Sequence, residues 1–166
     1  PTAVEYLLSL PGIEVNKPNN HGVTPLIVAS VFGNTECMRL LLAADGVDVN
    51  AADERGNTAL HYAAESRQGD ALALLLETQG IKADIPNKEG ITPLYMAVSY
   101  NNTDEAATLV AAGADVDAKI ITGESAVTYC ACKGNVECLE LLLKAGAAVN
   151  TSSDDKTPLM YAAANA

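Results

Sequence analysis

The chain repeats itself with a fixed period. The segment GVTPLIVAS from Gly22 returns as GNTALHYAA from Gly56, GITPLYMAV from Gly90 and GESAVTYCA from Gly123, with a worn copy, DKTPLMYAA, from Asp155. The steps are 34, 34, 33 and 32 residues. A second block keeps the same phase: RLLLAADGVDVN from Arg39, ALLLETQGIKAD from Ala73, TLVAAGADVD from Thr108 and ELLLKAGAAVN from Glu140. An earlier copy of this block, EYLLSLPGIEVN from Glu5, stands without its first block. A period of this length defines one supersecondary unit that cannot bury its own apolar face, so units must stack into a solenoid.

Each unit has a local physical reading. Thr24 and Pro25 form an N-cap followed by proline at the first helical position, repeated at Thr92–Pro93 and Thr157–Pro158. Leu26, Ala29 and Ser30 then share one helical face. Gly33 ends this first helix in the left-handed conformation, as Asn101 and Gly134 do in later copies. Arg67 occupies the equivalent position in the third unit, so that helix is expected to end differently, at Gly69. A second helix turns Cys37, Leu40 and Leu41 inward and stops at Gly46. The stretch VDVNAADERG then reads as a short extended turn ending at Gly56. Ala29, Ala63, Ala97 and Cys130 share one phase, where small side chains let helices approach. Cys37, Ala71 and Cys138 share another, so three of the four cysteines are expected in the core.

Composition fits many short, closely packed helices. Nearly half of the 166 residues are apolar, yet there is no Trp and Phe32 is the only Phe. The formal net charge of −11 disfavours nucleic acid and anionic lipid as partners. No apolar run reaches the length of a membrane span, so no membrane insertion is expected. Cys37, Cys130, Cys132 and Cys138 show no zinc-site spacing and read as free thiols of a reducing, intracellular and cytoplasmic compartment.

These residues resemble the ankyrin repeat family. The family's capped inner helix, T-P-L-H-x-A, stands here as TALHYAA from Thr58 to Ala64, with near copies at Thr24, Thr92 and Thr157. Its outer helix and following turn stand as LLLAADGVDVN and LLLKAGAAVN. The resemblance covers essentially the whole chain. It implies an all-α solenoid of paired antiparallel helices with short β-hairpin loops, forming a single domain over residues 1–166. The units expected are 1–18 (outer helix and hairpin), 19–52, 53–86, 87–119, 120–152 and 153–166 (inner helix). Some copies depart from the pattern. Ile120 and Ile121 replace the polar residue seen at Asp53 and Asn87, Ser125–Ala126–Val127 replaces Thr-Pro-Leu, and the turn before Lys156 is one residue short. These departures put the hairpin shape near the last two units in question, and slightly wider loops are expected in the first three units. The apolar ends YLLSL and LMYAAA lack the polar face of capping repeats, so the chain is expected to be a monomeric piece of a longer array.

The resemblance further implies binding of another protein or peptide in a concave groove made by hairpin tips and inner helices. The repeat register assigns His21, Val23, Arg55, Asn57, Glu89, Ile91, Thr122 and Glu124 to the hairpins. It assigns Val31, Phe32, Glu65, Ser66, Ser99, Tyr100, Cys132 and Lys133 to the exposed ends of inner helices. Phe32, Ser66, Tyr100 and Lys133 hold one phase but differ in chemistry, as a recognition surface does and a spacer does not. The alternative is a regulatory or targeting region of a larger enzyme whose catalytic domain lies outside this chain. In related animal arrays a hairpin Asn is hydroxylated where Leu stands eight residues before it and an acidic residue and Val immediately before it. Asn50 fits with Leu42, Asp48 and Val49, and Asn16 fits with Leu8, Glu14 and Val15.

The residues offer no catalytic, cofactor or metal site. His61 takes the family's T-P-L-H place, where the ring caps neighbouring hairpin backbone, and no nucleophile stands beside it. DVDAKIITGE from Asp115 lacks the third acidic position and the glycine of a calcium loop. No glycine-rich phosphate loop is present, so the chain is not expected to be an enzyme.

Overall fold

The computed structural model describes residues 2–153 and 155–165; Pro1, Asp154 and Ala166 lie outside them. Among the described residues, ten helices alternate between two layers. The inner layer holds α2 (Pro25–Val31), α4 (Ala59–Glu65), α6 (Pro93–Ser99), α8 (Ala126–Lys133) and α10 (Pro158–Ala164). The outer layer holds α1 (Ala3–Leu8), α3 (Thr35–Leu42), α5 (Gly69–Leu76), α7 (Thr103–Ala111) and α9 (Val136–Lys144). Each inner helix packs on the next inner helix and on the outer helix that follows it, and the outer helices pack on one another in order. Among the described residues, no inner helix precedes α1 and no outer helix follows α10.

The caps explain where the helices begin. The hydroxyls of Thr24, Thr92, Ser125 and Thr157 each accept from the backbone N–H three residues on, at 3.3–3.4 Å, satisfying one of the helix's orphan donors. Three inner helices, α2, α6 and α8, stop at a left-handed residue: Gly33 (φ 62°), Asn101 (φ 56°) and Gly134 (φ 70°). The third unit follows the same rule, against the expectation that Gly69 would end it. Arg67 itself takes φ 55°, and Gly69 opens α5. The arginine is held there by its own side chain, whose Nε donates to Asn102 Oδ1 at 2.6 Å in the next unit.

The core is a file of small and aliphatic side chains between the layers. Ala63, Ala97 and Cys130 are fully buried, and Ala29 nearly so. From the outer helices Met38, Leu72, Leu75, Ala106, Leu109, Cys138 and Leu142 are buried. Cys37 differs from its expected place: it is half-buried, while Met38 takes the core position beside it. Cys138, at the same phase, is covered by the preceding unit, where Thr103 Oγ1 lies 3.4 Å away. Cys37 faces the first unit, which among the described residues has only α1 to offer.

The turns between outer helix and hairpin differ as the extra residues require. In the second unit the helix ends at Leu42 and the left-handed glycine, Gly46, comes three residues after the cap Ala43. In the fourth, α7 runs one residue longer and Gly113 follows the cap Ala112 directly. The hairpin carrying Ile120 keeps its shape without a polar side chain. Its backbone closes by itself, with Ile120 N donating to Glu124 O at 3.0 Å and Gly123 N donating to Ile120 O at 2.8 Å. Before Lys156 the shortened turn closes by paired bonds between Ser153 and Lys156 at 3.1 and 3.0 Å.

Candidate functional site

The concave side is built from hairpins that brace one another and inner helices that stand beneath them. In three hairpins a short side chain folds the tip. The Oδ1 atoms of Asn19, Asp53 and Asn87 each accept from the two N–H groups two and four residues on, at 2.8–3.1 Å. Neighbouring tips are tied by backbone bonds: Glu54 N to His21 O, Lys88 N to Arg55 O and Ile121 N to Glu89 O, at 2.9–3.0 Å. Close contact between tips needs glycine. A Cβ on Gly90, at φ 80°, would lie 2.8 Å from Ile121 N and 3.0 Å from Ile120 Cα.

His61 joins helix and hairpin layers. It is fully buried. Its Nε2–H donates to Ile91 O at 2.9 Å, and its Nδ1 accepts from Thr58 N at 3.1 Å with Thr58 Oγ1 at 3.0 Å. Burial lowers its pKa, outweighing the opposing effects of the Ile91 bond and of Asp53. Both ring nitrogens are engaged with the scaffold, so the ring has no free atom to serve as acid or base.

At the base of the hairpins a second ladder runs from unit to unit. Asn16 Nδ2 donates to Gly46 O at 2.7 Å and its Oδ1 accepts from Asp48 N at 2.8 Å. Asn50 repeats this toward Gly80 O and Lys82 N, at 2.8 and 2.9 Å. Asp84 and Asp117 hold only the accepting half, from Asp115 N and Ala148 N.

The residues assigned to the groove fall into three environments. His21, Arg55, Glu89, Thr122 and Lys133 are exposed, and His21 Nδ1 lies 3.8 Å from the Glu54 carboxylate. Val23, Val31, Glu65, Ser66, Ile91, Ser99 and Glu124 are half-buried. Asn57 differs from its expected place at the surface. It is buried, its Oδ1 accepts from Asn87 Nδ2 at 2.8 Å, and its role is to lock two hairpins together. Tyr100 remains 52% exposed at the end of α6. The Glu65 carboxylate beside it raises its pKa, and Arg55 acts in the opposite sense, so these three groups share one patch.

Phe32 stands apart from that patch. It is 76% exposed and lines an apolar cleft of about 450 Å³ between α1, α2 and α3, with Leu7, Ile13 and Val28. In register it matches Tyr100, but among the described residues no inner helix stands where Glu65 stands for Tyr100.

The groove also contains tyrosines outside the assigned set. The rings of Tyr95 and Tyr129 meet at 5.6 Å, tilted by 58°. Tyr129 donates to Ser99 O at 3.2 Å, and the Lys133 ammonium lies 5.8 Å from its ring centroid. Burial, then the neighbouring Glu124 carboxylate, pushes the Tyr95 phenol up. Tyr62 donates to Asp53 Oδ2 at 2.6 Å. A signal for two of them was present: Tyr62 and Tyr129, like Tyr161, stand four residues after the capping Thr or Ser, whereas Tyr95 stands three after Thr92. This places aromatic rings along one line of the inner layer, and such rings carry much of the energy at protein interfaces.

Among the described residues, no group of three or more His, Cys, Asp or Glu side chains could hold a metal ion, and no helix is long and apolar enough to cross a membrane. No curated protein matches the chain. A family model described as ankyrin repeats, in three copies, matches residues 1–87, 45–120 and 112–166. Repeats of this family are generally protein–protein interaction modules and typically non-catalytic. With that match running from end to end over a stack of paired helices and braced hairpins, the chain belongs to the ankyrin repeat family.

Proposed function

We propose that the chain binds a partner protein or peptide in its concave groove, centred on Arg55, Glu65, Glu89, Ser99, Tyr100 and Lys133. The observation that supports this is Tyr100. A half-exposed aromatic at a position that elsewhere carries Ser66 or Lys133 contributes little to its own scaffold. Flanked by an acid and a base, it has the composition of an interface anchor. The braced hairpins hold these side chains in fixed relation before a partner arrives, which lowers the ordering cost of binding.

The test is capture of partners from an extract of the source cell on the immobilised chain. Tyr100→Ala and Arg55→Ala are compared with Arg39→Ala on the outer layer. Loss of about 2 kcal/mol at each groove position, or roughly thirtyfold, is expected with folding intact. Undiminished binding by the Tyr100/Arg55 double variant moves the site to another face.

Asn50 and Asn16 are proposed as hydroxylation sites on the resemblance alone. Mass spectrometry of protein from its natural source tests this. A chain carrying only unmodified Asn50 retires the idea.

A further inference from the structure

Two tyrosines of the inner layer carry a cation supplied by the chain itself. The Lys133 ammonium lies 5.8 Å from the ring centroid of Tyr129, and the Lys156 ammonium 5.5 Å from that of Tyr161. Both rings are half-buried. Tyr100 is more exposed than either, and it carries none: among the described residues no ammonium or guanidinium lies over its ring. An aromatic face attracts a cation through its quadrupole, so this open ring is a vacant place for one.

A carboxylate stands beside the same ring. The ends of α4 and α6 are fastened together by Asn102, a buried side chain two residues beyond Tyr100. Its Nδ2 donates to Ala64 O and to Glu65 O, both at 2.8 Å, and its Oδ1 accepts from Arg67 Nε at 2.6 Å. This fixes the backbone of Glu65 against the unit that carries Tyr100, with its carboxylate by the Tyr100 hydroxyl. Glu65 belongs to no ion pair among the described residues. Arg67, the cation nearest in sequence, is committed to Asn102 and to Asn101 O. The ring and the carboxylate lie in the third and fourth units, each with a unit stacked on both sides.

We infer that the partner presents an arginine to the groove, its guanidinium lying on the Tyr100 ring and donating to the Glu65 carboxylate. This rests on the groove reading above and names the chemistry that the groove selects. A planar guanidinium stacks on an aromatic face while its fork of N–H groups meets a carboxylate; an ammonium is a point charge and matches that geometry less well. The formal charge of −11 steers a cation-bearing segment toward the chain, so added salt weakens the contact. Arg55 acts on the same tyrosine and has no ion pair of its own among the described residues. It repels a second cation, so a single arginine among uncharged or acidic residues fits better than a basic run.

Selection of short random peptides, displayed on phage, against the immobilised chain tests the inference. Enriched peptides are synthesised and their affinities measured by fluorescence polarisation. They are expected to share one arginine. Its replacement by citrulline, which keeps the plane and removes the charge, should weaken binding roughly tenfold or more, as should Glu65→Gln or Tyr100→Leu in the chain. Tyr100→Phe keeps the aromatic face and should bind within about threefold of the unaltered chain. In Glu65→Gln the citrulline replacement should cost far less, because arginine and carboxylate act as a pair. Circular dichroism checks that each variant is folded. Peptides that need Tyr100 but carry no arginine, or bind as well with citrulline, overturn the inference and leave the groove reading standing. Peptides indifferent to Tyr100→Leu and to Arg55→Ala overturn both. No enrichment over a bare surface also overturns the inference, and capture from the cell extract then decides the groove reading separately.

Discussion

His61→Ala removes a side chain that ties a cap, an inner helix and the next hairpin together. The ring is fully buried and makes bonds of 2.9 Å to Ile91 O and 3.1 Å from Thr58 N. Its loss leaves that N–H buried without a partner, at about 1–3 kcal/mol, takes from the carbonyl one of its two bonds while Asn87 N–H still donates to it at 2.8 Å, and leaves a void the size of the ring; the sum is about 3–5 kcal/mol. That is a large share of the total stability of a typical domain, about 5–15 kcal/mol. Urea unfolding followed by far-ultraviolet circular dichroism at pH 7.5 measures it, and amide exchange should show the loss of protection at Thr58. The same ring makes stability depend on pH. Its folded pKa lies below the unfolded value of 6.5, so between the two the unfolded chain binds more protons. Its contribution is therefore complete above 6.5 and is lost as the pH falls through and below that value. His61→Ala should flatten this part of the pH profile. A loss under about 1 kcal/mol, or an unchanged acid limb, would refute the role assigned to the ring.

Leu75→Ala, in the fully buried interior of α5, should cost about 2–5 kcal/mol in urea unfolding, while Leu159→Ala, 78% exposed on α10, should stay within about 0.5 kcal/mol; equal effects would contradict the burial pattern. Gly90→Ala and Gly80→Ala share the strain of φ 80° and 84°, but only Gly90 meets neighbouring backbone, so thermal melts should show the larger loss at Gly90. Asn50→Ala should cost about 1–3 kcal/mol through two lost inter-unit bonds, and Asn50→Asp should cost less, because Asp84 and Asp117 show that an acceptor alone sustains half the ladder. A smaller loss for Asn50→Ala than for Asn50→Asp would count against the ladder.

What the sequence determined was whatever depends on residues near one another in the chain. The period, the hydroxyl caps at Thr24, Thr92 and Thr157, the left-handed stops at Gly33, Asn101 and Gly134, and the small-residue file of Ala29, Ala63, Ala97 and Cys130 were all legible there, because capping, handedness and helical phase are local properties. The tertiary structure decided what depends on the neighbouring unit. Arg67 stops its helix as a glycine would because Asn102, 35 residues later, holds its side chain. Asn57 leaves the surface because Asn87 of the next hairpin reaches it. Cys37 and Cys138 share a phase, yet only Cys138 has a unit in front of it to bury it fully. Phe32 and Tyr100 share a phase too, but Glu65 stands before Tyr100 and an open cleft before Phe32. A repeat's own letters set which face of each helix is apolar; the stack sets whether anything covers that face, because burial in a solenoid is a property of pairs of units.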